Sequence, residues 1–560
     1  MKRNIALAII FVVSFITVRS QESLVLRTDR DFYIGGEDMW VNVVNLNSES
    51  NQPSDLSKVV YLELLNNEHQ PVLQQKLRLQ DGQVKSVVSL PDTISTANYA
   101  LRVYTRWMRN LDVKPYTYKT ISVINPFAKN SLPAVAESDI STKKQINSKY
   151  EEDGNFIQVD VKKVFYGNRD NVKLSLSKTL QEDVNHVTVS VVKSCLIKGL
   201  NTNSLSSFNK KQSVVKGDDL LLPEVEGELI TGTITDLENG ELITGEKMTL
   251  NFVGDSPLMQ FSTTDSLGRF RFVVNEFGQR EMVIQPFNLD TSSINYKVNL
   301  DPSFSEDYPE KMIEPLNLSK EKVEELNRAI INMQINTIYS AYREDGSGKD
   351  SLQKQPPFYG KAEILVPIGR FINLPTVEEV IKEIVPYVGL RKQKGEYFFK
   401  TFEPKSYYPR DGKTLTLVDG IPVHNINRVL EINPEELDHI EVINLDYFLE
   451  EEKLGRLLCF YSIENNMAAM DFDNRIFRQA RECYHPSYTY VSPDYSSKEK
   501  RKNRLADFRN VLYFGNVDIV DEETEVVFYT GDDTGEYTVI VEGINSKGEV
   551  LRTTSEFTVR

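Results

Sequence analysis

Cysteine is scarce in this chain of 560 residues. Only Cys195, Cys459 and Cys483 occur, an odd number spread far apart, which excludes a disulfide scaffold even in an oxidising compartment and leaves a Cys459–Cys483 bridge as the one pairing to consider. Histidine is nearly as sparse: His69, His186, His424, His439 and His485 form no His-Glu-x-x-His run and no Cys/His cluster with zinc spacing. That removes the visible ligands of a metallopeptidase centre, and His424 and His439 read as ordinary polar residues, with shared metal binding as the alternative. The chain also lacks a Gly-x-Ser-x-Gly elbow and a Gly-Lys-Ser/Thr phosphate loop. Carboxylate pairs such as Glu378-Glu379 and Asp532-Asp533 read as solvated turns and caps rather than acid/base dyads. Positive charge is in deficit as well. A formal net charge of −16 opposes phosphate backbones and anionic membranes, so nucleic acid is excluded as a partner. The one basic run, "KEKRKNR" from Lys498 to Arg504, reads as a solvated loop with no ligand.

Long apolar runs are missing too, apart from Ile5 to Val18 behind Lys2 and Arg3. With Val18-Arg19-Ser20 as a cleavage site, residues 1–20 read as a secretory signal peptide; an uncleaved anchor would need about 20 apolar residues. The mature chain is expected to begin near Gln21, soluble or peripherally held in the periplasm or at the outer membrane, because no Cys follows to accept a lipid. No series of alternating membrane strands fills the C-terminal part, so no transmembrane barrel is expected.

What remains is patterned for several domains, mainly β. "LVLRTDRDFYIGGEDMWVNVVNL" alternates around Gly35-Gly36 as two strands joined by a tight turn. Strand-like runs follow at Val59 to Leu65, Val72 to Leu79, Val84 to Leu90, Tyr99 to Tyr104 and Lys119 to Val123, which makes 21–125 a β-sandwich. Residues 126–150, rich in Ser, Lys, Asn and Ala without periodicity, read as a linker. The stretch "TDRDFYIGGEDMWVNV" resembles the second macroglobulin-type domain of the alpha-2-macroglobulin family, with Tyr33, Gly36 and Glu37 at the matching positions. A weaker echo lies in "VDVKKVFYGNRDNVKLSLS", where Tyr166 and Val172 are spaced as Tyr33 and Met39 are, and implies a second macroglobulin-like domain over 151–222. A protease trap of that family would need a bait region and usually a reactive Cys-Gly-Glu-Gln segment. Cys195 in "KSCLIKG" fits neither.

Residues 223–300 contain "GTITD" and "DSLGRFRF". They are similar to the carboxypeptidase regulatory-like sandwich, whose Asp265-x-x-Gly268 turn sets a hairpin and whose Phe270 and Phe272 share one face; any hairpin with a Gly turn is the alternative. Within 301–357, Ser319 caps a helix over Lys320 to Tyr342 with Val323, Leu326, Ile330, Met333 and Ile338 as its packing stripe, followed by a flexible loop.

The segment 358–447 orders a capping box at Thr376 and Glu379, the strand "EYFFKTF", then "TLTLVDGIPVHN", then an Asn433-Pro434 helix start and "IEVI". This order resembles the plug domain of TonB-dependent outer-membrane receptors at Asp419, Gly420, Pro422, Ile440, Glu441 and Val442. Downstream, residues 448–560 read as a C-terminal immunoglobulin-type sandwich instead of barrel strands. The whole arrangement, including "LADFRNVLYFGNVDI", resembles a group of Bacteroidota cell-envelope proteins. The resemblance implies a non-catalytic exported interaction protein without a cofactor, its partners being envelope proteins such as an outer-membrane TonB-dependent receptor. An envelope enzyme or trap whose site is assembled from distant residues is the alternative.

Overall fold

The computed structural model describes residues 22–111, 115–127, 156–178, 184–196, 220–254, 257–287, 295–308, 313–316, 320–340, 347–349, 356–370, 374–403, 406–409, 414–449, 451–470, 476–519, 523–546 and 548–560. The expected signal peptide, most of the 126–150 linker and the Ser319 cap lie outside them.

Eight strands build the first sandwich: β1 (Glu22–Thr28), β2 (Phe32–Ile34), β3 (Asp38–Asn47), β4 (Val59–Leu65), β5 (Pro71–Arg78), β6 (Gln83–Ser89), β7 (Ala97–Tyr104) and β8 (Thr117–Ile124). One sheet runs β1-β3-β6 and the facing one β2-β8-β7-β4-β5. Every residue of β4, VVYLELL, is buried, because its two faces are covered, one by the partner sheet and one by later segments of the chain. Gly35-Gly36 does turn the chain, with Gly36 at φ 88°, but β2 and β3 do not pair as a hairpin. β2 joins β8 in parallel and β3 joins β1, so the turn carries the chain from one sheet to the other.

A second sandwich begins with β9 (Ile157–Val161), β10 (Phe165–Tyr166), β11 (Asn171–Lys178) and β12 (Val184–Lys193). The chain then leaves it. A third sandwich follows with β13 (Glu228–Asp236), β14 (Lys247–Phe252), β15 (Met259–Thr263), β16 (Arg269–Val274), β17 (Gln279–Pro286) and β18 (Tyr296–Leu300). Next come α1 (Lys320–Ser340) and β19 (Ser347–Lys349), then a mixed domain. It comprises β20 (Ile364–Pro367), α2 (Val377–Glu383), β21 (Val388–Gln393), β22 (Glu396–Glu403), β23 (Ser406–Pro409), β24 (Leu415–Val418), β25 (Ile421–Pro422), α3 (Ile426–Leu430), β26 (Leu437–Leu449) and β27 (Glu452–Ser462). Its central sheet, β20-β26-β27-β24-β25, continues through Ser462, so the 447 boundary read from the sequence falls inside a hairpin. The Asn433 cap holds only one 3-10 turn, Pro434–Glu436; the true helix there is α3, capped by Asn425, which the sequence reading passed over.

The return path is the largest correction. β28 (Phe477–Glu482) pairs with β17 of the third sandwich, β29 (Tyr484–His485) with β5 of the first, and β30 (Tyr488–Tyr490) with β19. After α4 (Lys498–Arg501), the exposed basic run capped by Ser497, come β31 (Val511–Val517), β32 (Thr524–Tyr529), β33 (Gly535–Asn545) and β34 (Val550–Val559). These four complete the second sandwich, in sheets β9-β11-β32 and β10-β34-β33-β12-β31. Residues 151–222 and 448–560 therefore do not form two domains, and β32 to β34 are not an independent immunoglobulin-type unit.

Strand for strand, the second sandwich repeats the first: β1-β3-β6 corresponds to β9-β11-β32, and β2-β8-β7-β4-β5 to β10-β34-β33-β12-β31. In the first, β4 and β5 are joined through Asn66 to Gln70; in the second, the same connection holds residues 194–510. A hairpin end tolerates such an insertion because loop-closure entropy grows only logarithmically with length. The third sandwich is interrupted in turn by α1 and the mixed domain, so one insertion nests inside another. The molecule is mainly β and multidomain, with sandwiches plus a small α+β unit.

Candidate functional site

The first motif forms a polar knot. Tyr33 is fully buried, and its hydroxyl donates toward Asp29 Oδ1 at 2.8 Å and the Arg30 carbonyl at 2.7 Å. Asp29 Oδ1 also accepts from the Trp40 N–H at 2.8 Å, yet burial pushes the carboxyl up to about 6. Glu37 Oε2 accepts from Arg30 Nη2 at 2.6 Å and from the Ile34 N–H at 2.9 Å, which fixes the turn that Gly36 makes. Donors from the second sandwich then complete the knot. Ser190 Oγ donates to the Asp29 carbonyl at 2.7 Å, and Asn510 Nδ2 to Glu37 Oε1 at 2.7 Å. Beside them Arg27, 2% exposed, donates to Thr188 Oγ1 at 2.7 Å, and burial lowers it to about 10. Tyr33, Gly36 and Glu37 thus serve a joint between two sandwiches.

The second motif stays local. Asp265 Oδ1 accepts from the Leu267 and Arg269 N–H groups at 2.8 and 3.0 Å, and these backbone donors hold the carboxyl below its ordinary range. Gly268, at φ 64°, closes the turn onto the Asp265 carbonyl at 3.0 Å. Phe270 and Phe272 are both 1% exposed with ring centroids 5.5 Å apart, on the inward face of β16.

The third motif is a second joint. Asp419 is fully buried at φ 45°, and its carboxylate accepts from Ser462 N and Oγ, each at 2.7 Å, and from the Met467 N–H at 2.8 Å. The strand carrying Ser462 follows the motif by some forty positions, so this anchor is set by the parallel pairing of β24 with β27. Outward, the Asp419 carbonyl accepts from the Gly254 N–H of the third sandwich at 3.0 Å, and the Pro422 carbonyl from Gln285 Nε2 at 3.0 Å. A Cβ on Gly420 would lie 2.7 Å from Pro257 Cβ, so only glycine lets the two domains approach this closely. Ile440 and Val442 fill the core of the mixed domain with Val377, Val380 and Ile381 of α2. Glu441 points to the other face of its sheet, where Oε2 accepts from the Tyr359 hydroxyl at 2.6 Å.

Other junction charges carry no local sequence signal. Asp533 is not solvated: it is 1% exposed, pairs with Lys193 and, at 2.9 Å, with Arg328 of α1, and accepts from Asn332 at 2.8 Å. Asp532 pairs with Arg169 at 2.6 Å. Glu378 and Glu379 do sit in the first turn of α2. Leu326, Ile330 and Met333 of α1 pack on Phe32, Ile124 and Leu196, whereas Ile338, expected in that stripe, is 65% exposed. At the contact of the first and third sandwiches, Lys76 pairs with Glu228 at 2.7 Å and Arg481 reaches the same carboxylate, while Glu224, pushed up to about 7 by burial, accepts from the Tyr61 hydroxyl at 2.9 Å.

None of the three cysteines is in a disulfide, so Cys459 and Cys483 do not pair. His439 stacks on Tyr461 at 4.6 Å, and among the described residues no group of three His, Cys, Asp or Glu is placed to hold a metal ion.

No family model matches the sequence, and no curated protein matches it. Among solved structures, the chain is similar to Salmonella alpha-2-macroglobulin reacted with methylamine, at 9% identity and a TM-score of 0.23, over 96% of this chain and 39% of that one. The native conformation of Escherichia coli alpha-2-macroglobulin aligns at 8% identity and a TM-score of 0.23, over 97% and 40%. Dimeric latent PorU from Porphyromonas gingivalis aligns at 8% identity and a TM-score of 0.16, over 50% and 33%. The chain spans about two fifths of the length of the macroglobulins it matches. Superpositions this loose carry no argument about activity.

Proposed function

We propose that this protein is a non-catalytic, exported cell-envelope scaffold of the kind found in Bacteroidota, which presents a plug-like module to an outer-membrane partner such as a TonB-dependent receptor. The observation that supports this reading is the nesting. The mixed domain is an insertion within an insertion, tied back to the third sandwich through Asp419, Gly420 and Pro422 and through the edge strand β28. The sequence motifs join domains at Glu37, Asp419, Gly420 and Pro422, close a turn at Asp265 and Gly268, or fill a core at Phe270, Ile440 and Val442, which is the behaviour of a framework. The mixed domain also leaves Leu365, Leu445, Phe448 and Ile463 more than half exposed, at 57%, 71%, 60% and 63%, and such side chains suit contact with another protein.

Crosslinking in envelopes tests the proposal. Residues of the mixed domain should link to a larger membrane protein, and replacing 358–470 by a short Gly-Ser linker should abolish the link while the first sandwich stays folded. Capture of the same partners by the deleted form would assign recognition to the sandwiches and leave the mixed domain a spacer.

A further inference from the structure

We propose that the outward face of the β21–β22 hairpin in the mixed domain is a contact site for an anionic lipid surface. This goes beyond the scaffold reading and does not rest on it, since it uses other residues of that domain. Strand pleat sorts the hairpin into two faces. Val388, Leu390, Tyr397 and Phe399 turn inward and pack in the core of the mixed domain, Phe399 being 1% exposed. Alternation then puts Arg391, Phe398, Lys400 and Phe402 on the opposite face, with Arg391 and Phe398 as cross-strand partners. Arg391 is exposed and the other three are half-buried. Gly389, the cross-strand partner of Lys400, leaves its place on this face to an aromatic ring: a Cβ there would lie 2.9 Å from Phe402 Cε2. Neither Phe398 nor Phe402 belongs to the core of the domain.

The cations of this hairpin are largely uncommitted. The side chains of Arg391, Lys394 and Lys400 make no ion pair and no hydrogen bond among the described residues, whereas Lys392 leans over the Tyr397 ring at 4.5 Å. Lys394, at φ 52°, and Gly395, at φ 93°, form the exposed two-residue turn. The one carboxylate that alternation brings to the outward face is Glu396, and it has a partner of its own. Residues 388–403 thus set Arg391, Lys392, Lys394 and Lys400 against Glu396 and Glu403, a local surplus of positive charge in a chain whose net charge is −16. Charges more than about 8 Å away are largely screened at physiological ionic strength, so the local surplus governs any contact made by this face. A sheet face has no walls to enclose a small anion, which only the cations would hold. An anionic bilayer engages both kinds of side chain at once: Lys and Arg meet the headgroup phosphates while the rings enter the boundary between headgroups and acyl chains.

The test is co-sedimentation of the full mature chain with vesicles of phosphatidylglycerol and phosphatidylethanolamine in equal parts, against vesicles of phosphatidylcholine alone. Binding to the anionic vesicles only is expected, weakened by salt and about tenfold or more weaker for Arg391→Glu/Lys400→Glu at an unchanged melting temperature. Phe398→Ser, which keeps every charge, must weaken it as well. Should the double variant fail to fold, Arg391→Gln/Lys394→Gln, at two exposed positions, takes its place. No binding to the anionic vesicles, equal binding to phosphatidylcholine, unchanged binding in any of these folded variants, or capture by soluble polyglutamate in place of vesicles would each overturn the proposal, the last by assigning the face to an acidic protein.

Discussion

Asn510 donates to Glu37 at 2.7 Å across 473 positions of chain. The contact joins the turn that starts the first sandwich to the residue that precedes β31, where the nested insertion ends and the second sandwich resumes. Glu37 faces both ways, since its other oxygen holds Arg30 at 2.6 Å, with the Arg30 side chain buried and that of Glu37 9% exposed. Glu37→Gln keeps an acceptor but strips the guanidinium of its closest countercharge. Breaking a buried pair from one side costs about 3 kcal/mol or more, so a loss of unfolding free energy of that size, read as a lower denaturation midpoint, is expected in the full chain. A change within the noise of surface substitutions would show that Asp29 alone neutralises Arg30.

Gly420 and Gly240 separate two effects that glycine can have. Both have positive φ, 85° and 73°, but a Cβ at 420 meets Pro257 at 2.7 Å and one at 240 meets nothing within 4 Å. Gly240→Ala should cost about 1 kcal/mol from the backbone alone, and Gly420→Ala about 3 kcal/mol, with the excess appearing as faster proteolysis at the joint of the mixed and third domains. Equal losses would place the domains further apart than the structure does.

Glu224 gives stability a pH dependence of definite sign. Its carboxyl has an ordinary value of 4.5, raised to about 7 in the fold by burial. Between those values the folded chain holds the proton more tightly than the unfolded chain, so this contribution is full below pH 4.5, declines as pH rises, and is gone above about 7. Melting temperatures of the native chain and Glu224→Gln, followed from pH 4.5 to 8, should converge at low pH and diverge as pH rises, with the variant the more stable at pH 8. Parallel curves would show that Glu224 keeps its ordinary value.

Thiol labelling checks the cysteines. Cys459 and Cys483 are buried, and burial pushes the Cys483 thiol up to about 12, so neither presents a reactive thiolate near neutrality. The native chain should react with Ellman's reagent at Cys195 at most, and the unfolded, unreduced chain at all three positions. A single reactive thiol after unfolding would demonstrate a disulfide.

Much of the local structure is legible in the residues themselves. A short apolar, strand-like run placed β4 at Val59–Leu65, and Thr376 caps α2 by accepting from the Glu379 N–H at 3.2 Å, because strand propensity and helix cap depend on neighbours a few positions away. Asp265 and Gly268 likewise form a turn whose own hydrogen bonds, from the Leu267, Gly268 and Arg269 N–H groups to Asp265, span a few positions. Domain membership has no such local cause. β12 and β31 are each apolar strands that a sandwich core can accept, and nothing in either shows that Val189 will pair with Gly515 across the whole insertion. The same holds for Asp533: beside Asp532 and a Gly-rich turn it reads as solvated, and only the approach of Lys193 and Arg328 from distant segments makes it a buried anchor. Sequence alone determined the strands, the caps and the tight turns, whose energies are set within a few residues. Tertiary structure decided which strands share a core and which motifs become joints, because hydrophobic burial and charge pairing reward proximity in space and are indifferent to separation along the chain.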